Sequence, residues 1–286
     1  MSLKEVIVAS RPFWWINTAA PYFVGYLVPT GAFSWNLIIG TFYFLFPYNL
    51  FMYGVNDIFD YESDIKNPRK TGIDGSVLPK TKHKSLWLWI ALTNIPFWAY
   101  FFLTGSCGAN TWLLIIIFMA LAYSIKYLRF KEIPLLDSFT SSFHYTSPFL
   151  YGVFFAGGQE WYLPAYTTFY VWVMANHAFG AIQDITPDKE AGIGSVATAF
   201  GASKTIFLVL IGYITAAILP IVFYGAQGIP VSILLTPYVY LVAQTIPKRA
   251  DDTAPIFRKN WDKFLYANYA VGFLLSMYLI YLAYQA

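Results

Sequence analysis

Charge and cysteine are what this sequence has least of. Charged residues fill 12% of its 286 positions, about half the roughly 25% of a soluble domain. Cys107 is its one cysteine, which excludes an intrachain disulfide and any metal centre built on several thiolates. His83, His144 and His177 are scattered at spacings that metal sites do not use, so each reads as an ordinary hydrogen-bonding residue. Four short connections, Thr30–Ser34, Gly105–Ala109, Gly157–Tyr162 and Gly225–Gly228, lack Lys and Arg altogether. The net charge of +3 carries no nucleic-acid signal and fits anionic lipid headgroups instead.

What is abundant is apolar surface, at 58% of residues, with aromatics at 21%. Runs of about 18 apolar residues are long enough to cross a bilayer as helices. Nine such runs are expected, near 13–31, 35–57, 85–104, 110–127, 135–156, 163–184, 203–224, 229–247 and 264–285. The fold class is therefore an all-α, polytopic membrane protein, read as a single domain over 1–286. Nine crossings place all 18 Lys and Arg residues on the face that carries the N-terminus. The positive-inside rule makes that face cytoplasmic and leaves the C-terminus outside. The first run has no convincing signal-peptidase site after Arg11-Pro12, so it reads as a retained helix.

Against this background the stretch NDIFDYESD, residues 56–64, is anomalous. Asn56, Asp60 and Asp64 recur at i, i+4, i+8, so a continuing helix places them on one face with Asp57 beside them. Like charges repel unless cations lie between them, and oxygen ligands alone suit Mg2+ held jointly with substrate phosphates. A solvated helix end is the competing reading. A second cluster decides between them: AIQDITPDKEAG places Asp184 and Asp188 four residues apart at another helix end on the same face. Pro187 biases Thr186 away from helix, which would put Asp188 just past the helix end. The offset of four spans suggests two similar four-helix halves.

Positive charge comes from YSIKYLRFKEIPLLD, with Lys126, Arg129 and Lys131 on that same face. Carboxylates holding Mg2+ beside Arg and Lys suit a polyanion such as diphosphate. Arg69 and Lys70, in NPRKTG, would close over it, whereas Lys80, Lys82, Lys84, Lys248 and Arg249 read as ordinary flanking charge. Asn176 and Gly180 lie eight and four residues before Asp184 and share its face.

These motifs, in this order, resemble the UbiA superfamily of intramembrane prenyltransferases over essentially the whole chain. The family's N-D-x-x-D-x-x-x-D is matched by Asn56, Asp57, Asp60 and Asp64, and its D-x-x-x-D by Asp184 and Asp188. Its Y-S-x-x-x-x-R-x-K form selects Tyr123, Ser124, Arg129 and Lys131, and its Tyr-x-x-x-Lys variant selects Tyr127 and Lys131. The resemblance implies a nine-helix bundle around a central cavity open to the cytoplasmic side. It implies Mg2+ ligands at Asn56, Asp57, Asp60, Asp64, Asp184 and Asp188, and catalytic roles for Asp60, Asp184, Arg129 and Lys131. Asn56, Arg69, Lys70, Tyr123, Lys126 and Tyr127 would bind an isoprenoid diphosphate.

No Lys or Arg lies deep in any run, so nothing awaits an acidic acceptor headgroup. The strings RPFWWINTAAP, FPYNLFMYGVNDIFDYESDIKNPRK and VLPK look most like the lycopene elongases. That likeness implies a dimethylallyl diphosphate donor and a lycopene acceptor, giving carotenoids of fifty carbons. A quinone precursor or glycerol lipid is the alternative acceptor. A transporter is the alternative of another class, but its acids belong near the midplane. The D-G-x-x-A-R signature of the CDP-alcohol phosphotransferases is absent.

Overall fold

The computed structural model describes residues 1–65, 77–158, 162–246 and 254–285, and these are helical with no strand among them. Arg69 and Lys70 lie outside the described residues. Among the described residues, helix occupies the greater part of each of these apolar runs. Five helical stretches, Trp35–Phe59, Lys80–Thr104, Cys107–Ser124, Val196–Ala243 and Lys263–Gln285, are long and apolar enough to cross a membrane. Contacts divide the chain into two compact units, one of Met1–Arg129 with Ser147–Gln159 and one of Phe130–Thr146 with Glu160–Ala286.

The first unit opens with α1 (Leu3–Ala9), started by a reciprocal cap between Ser2 and Glu5. After a 3-10 turn at Pro12–Trp14 follow α2 (Ile16–Thr30), α3 (Trp35–Leu45), α4 (Pro47–Phe59), α5 (Tyr61–Asp64), α6 (His83–Thr104) and α7 (Cys107–Ser124). The run expected as one helix over 35–57 is thus two, separated at Phe46, whose backbone is non-helical (φ −120°). Pro47 has no N–H to continue the ladder but is well placed in the first turn of a new helix. Carbonyls freed by such a break need partners inside a membrane. Asn49 supplies them: its Nδ2 donates to Phe44 O at 2.8 Å and Leu45 O at 3.1 Å. Thr18 Oγ1 also donates to Phe44 O, at 2.6 Å, and Asn94 Nδ2 to Pro47 O, at 3.0 Å.

The core of this unit is aromatic, with Tyr22, Tyr43, Phe44, Tyr48, Phe101 and Tyr151 all buried. Two glycines bring α2 against the C-terminal part of α8 (Leu136–Phe155). A Cβ on Gly25 would lie 2.1 Å from Phe149 O, and one on Gly152 would lie 2.7 Å from Tyr22 O. This is the backbone-to-backbone approach that small residues permit between membrane helices. At the charged end, Lys80 pairs with Glu62 and Lys82 with Glu5. The hydrogen bond from Lys82 pulls the Glu5 carboxyl down to about 2, and that from Glu62 raises the Lys80 ammonium. Both lysines read from sequence as flanking charge therefore have named partners.

The second unit comprises the start of α8, α9 (Leu163–Ile182), α10 (Ile185–Ala191), α11 (Val196–Tyr224), α12 (Ile229–Ala243) and α13 (Ala254–Gln285). Phe179, Tyr213, Tyr238 and Phe264 form its buried aromatic centre. Tyr213 donates its hydroxyl to Asn176 Oδ1 at 2.5 Å and Tyr238 to Asn268 Oδ1 at 2.8 Å, so both buried hydroxyls are satisfied. Gly180 lies against the Trp261 ring. Gly201 takes a left-handed φ of 73° inside α11, and the apolar run expected from residue 203 begins directly after this corner.

Candidate functional site

Asn56 and Asp57 occupy the last turn of α4, Asp60 its C-cap and Asp64 the end of α5. The helical register survives the joint, since Asp60 N donates to Asn56 O at 2.9 Å and Asp64 N to Asp60 O at 2.8 Å. The four side chains form the buried row that their spacing predicts, with exposures of 9%, 5%, 3% and 7%. Acids at the C-terminal end of a helix face the negative pole of its dipole, so this location is unfavourable without cations.

Two arginines answer that charge. Arg11 Nη2 donates to Asp57 Oδ1 at 2.6 Å, and the guanidinium carbon Cζ lies 4.2 Å from the centre of the Tyr53 ring. Arg129 Nη2 stands 3.6 Å from Asp60 Oδ1. Both hold left-handed backbones, with φ of 52° at Arg11 and 40° at Arg129. Such conformations cost on the order of 1–3 kcal/mol and concentrate where function requires a side chain in one place. Asn56 Nδ2 donates to Asp60 Oδ2 at 2.6 Å and to Ser124 Oγ at 3.3 Å, which fixes the Asp60 carboxylate from its other side.

The remainder of the basic segment is less gathered. Tyr127 is 91% exposed, Lys126 is exposed, and Tyr123 is half-buried at the end of α7. Lys131 is half-buried in a 3-10 turn, Phe130–Glu132, at the start of the second unit.

In the second unit α9 ends at Ile182, and Asp184 is the N-cap of α10. Asp188, expected beyond the helix end, does lie past the end of α9, in the separate short helix α10. Its N–H donates to Asp184 O at 2.9 Å. Pro187 falls in the first turn of that new helix, where a missing N–H is tolerated. Both acids are half-buried.

Among the described residues no three His, Cys, Asp or Glu side chains converge as a preformed metal cluster. The donor set fits Mg2+ nonetheless. It is all oxygen, it is buried in the first unit, and Mg2+ is commonly held by one or two carboxylates completed by substrate phosphates.

Residues that sequence reasoning passed over include Arg11, forty-six positions from its partner Asp57. Asp137, 1% exposed near the start of α8, accepts from Val196 N at 2.8 Å and so anchors the start of α11. An isolated arginine before Pro12 and an isolated acid opening an apolar run were the signals available.

The UbiA prenyltransferase family matches residues 18–269. The C(50) beta-cyclic carotenoids biosynthesis protein LbtBC of Dietzia sp. (strain CQ4) is 42% identical over 98% of this chain, which spans 65% of that protein's length. Lycopene elongase/hydratase of Corynebacterium glutamicum is 40% identical over 97% of both chains. A UbiA homologue from Archaeoglobus fulgidus, bound to DMAPP and Mg2+, shares the fold with a TM-score of 0.72 at 18% identity, over 93% of this chain and 98% of that one. With a matching family, a relative alike over 97% of both chains and an all-helical fold in common, the chain belongs to the UbiA prenyltransferase family and is an integral membrane prenyltransferase.

Proposed function

We propose that this protein transfers a dimethylallyl group from its diphosphate to the terminal double bond of lycopene, as a step towards carotenoids of fifty carbons. The observation that carries the reading is the 40% identity, over 97% of both chains, to a lycopene elongase/hydratase. The absence of Lys and Arg deep in the apolar runs supports it, because a polyene has no acidic head to anchor. An acceptor of this kind stays in the bilayer while its end reaches the reacting carbon.

Nine helices cross the membrane in this reading, around a central cavity open to the cytoplasm, with the N-terminus cytoplasmic and the C-terminus outside. The chain acts as one domain over 1–286. Asn56, Asp60, Asp64, Asp184 and Asp188 hold Mg2+, and Asp57 is held beside them by Arg11. When bound, Mg2+ supplies charge neutralisation to the departing diphosphate. Arg129 and Lys131 grip the diphosphate oxygens, joined by Arg69 and Lys70, with Tyr123 and Lys126 at the edge of the donor site. Tyr127 belongs to the donor site only if the Tyr-x-x-x-Lys form of the motif applies. Aromatic faces stabilise the allylic carbon as positive charge develops there, and the apolar surroundings exclude water from it. DMAPP and Mg2+ bound to the homologue of like fold are the donor and metal of this proposal.

The test is turnover in liposomes with Mg2+, allylic diphosphates of several lengths, and lycopene, quinone precursors and glycerol lipids as competing acceptors. Products heavier than lycopene by one and then two five-carbon units are expected. Unchanged lycopene beside a prenylated quinone precursor or glycerol lipid would leave the prenyl-transfer chemistry and remove this acceptor.

A further inference from the structure

A polar group sits inside the second unit where the mechanism above makes no use of it. His177 lies on α9, five residues before the end of that helix at Ile182 and seven before Asp184. Tyr170, Met174, His177, Ala181 and Asp184, spaced by four, three, four and three residues, are all half-buried. They form a single half-open stripe that leads from the aspartate motif to the imidazole. A histidine serving packing alone would be closed over by its neighbours, and an ionisable side chain within a membrane span marks function by default.

The ring is held from one side by a buried hydroxyl. Nδ1 meets Ser138 Oγ at 3.1 Å, and Ser138 is 3% exposed. Asp137 Oδ1 is buried and has no hydrogen-bond partner among the described residues. A neutral ring whose Nδ1–H donates to Ser138 presents a lone pair at Nε2.

We propose that His177 is the proton acceptor that completes the transfer, with Ser138 as the residue that positions its ring; this rests on the polyene acceptor proposed above. In the first step the allylic C–O bond breaks and its electron pair leaves on diphosphate, while the polyene's terminal double bond supplies the pair for the new C–C bond. A tertiary cation remains on the acceptor. It is discharged in one of two ways. A neighbouring C–H gives its proton to Nε2 and its electron pair becomes a double bond, or water adds to the cation and the water proton goes to Nε2. The imidazolium then returns its proton to solvent. Either route needs a base a few bonds beyond the diphosphate, and His177 is set back from Asp184 by the last turn of α9.

The test uses the full-length protein in liposomes with dimethylallyl diphosphate, lycopene, and lycopene deuterated at its terminal methyl groups. His177→Asn keeps a side chain able to bond Ser138 but accepts no proton. It is expected to slow product formation by about 10²-fold, to leave donor binding unchanged, to enlarge the deuterium effect and to shift the ratio of hydrated to unsaturated ends. Ser138→Ala is expected to move the same ratio by a smaller amount. Unchanged donor binding in both variants shows that they fold. Wild-type protein that elongates lycopene, beside a His177→Asn variant of unaltered rate and product ratio, overturns the role of His177 alone. Wild-type protein that leaves lycopene unchanged overturns the acceptor reading itself.

Discussion

Arg11 and Asp57 meet at 2.6 Å with both side chains nearly out of solvent, at 10% and 2% exposure. Removing one member of a buried ion pair leaves the other uncompensated and costs on the order of 3–5 kcal/mol, whereas replacing both with apolar groups costs much less. Arg11→Ala should therefore lower the melting temperature in detergent markedly, and the double variant Arg11→Met with Asp57→Leu should recover most of the loss. Equal melting temperatures for wild type and Arg11→Ala would show that the pair contributes little to stability.

Metal dependence follows from the oxygen-only acid sets. EDTA should abolish turnover and added Mg2+ restore it. Asp60→Ala and Asp184→Ala should each reduce kcat by roughly 10² to 10³, the usual cost of losing one preorganised charge stabiliser. Donor-binding titrations and steady-state kinetics measure both. Near-normal rates in both variants would mean that the acids are only solvated helix ends.

The basic segment offers a choice between two alignments. Arg129 reaches Asp60, while Tyr127 is 91% exposed. Arg129→Ala should raise the donor's KM by about 10- to 100-fold, as expected for a lost charge-assisted bond of about 1.5–3 kcal/mol. Tyr127→Ala should leave KM within about twofold, since exposed substitutions away from special features have small effects. A large effect at Tyr127 would favour the Tyr-x-x-x-Lys form of the motif.

Asn49 holds the break between α3 and α4 through its bonds to Phe44 O and Leu45 O. Asn49→Leu keeps the volume and loses the donor, leaving carbonyls that each cost about 1–3 kcal/mol when buried unbonded. The variant should unfold at a lower temperature and lose activity in parallel. Unchanged stability would mean that Thr18 alone is a sufficient donor.

The acidic row was legible because side chains at i, i+4, i+8 share a helix face whatever surrounds the helix. The apolar runs were legible for a similar reason, since run length and helix rise fix each other. Less visible was the division at Phe46, because Pro47 in the first turn of a helix and Pro in the middle of one look alike within an apolar string. Asp188 was rightly placed past the sixth helix, but the short helix α10 that carries it was not visible, because proline is also compatible with a helix's opening turn. Arg11 was hidden because its pairing is purely tertiary, with nothing near Asp57 in sequence to announce it. The lower boundary of α13 was missed because its first turns, from Ala254, are too polar to register as membrane helix.

The break at Phe46 also divides one span into segments with different tolerance to change. Every residue from Pro47 to Asp57 is buried, whereas α3 buries only Leu37, Gly40, Tyr43 and Phe44. A saturation scan should therefore find a permissive face on α3 and none on α4. Drift that suits the chain to bilayers of different thickness has room to accumulate in α3, while the segment that carries the acids stays fixed on all sides.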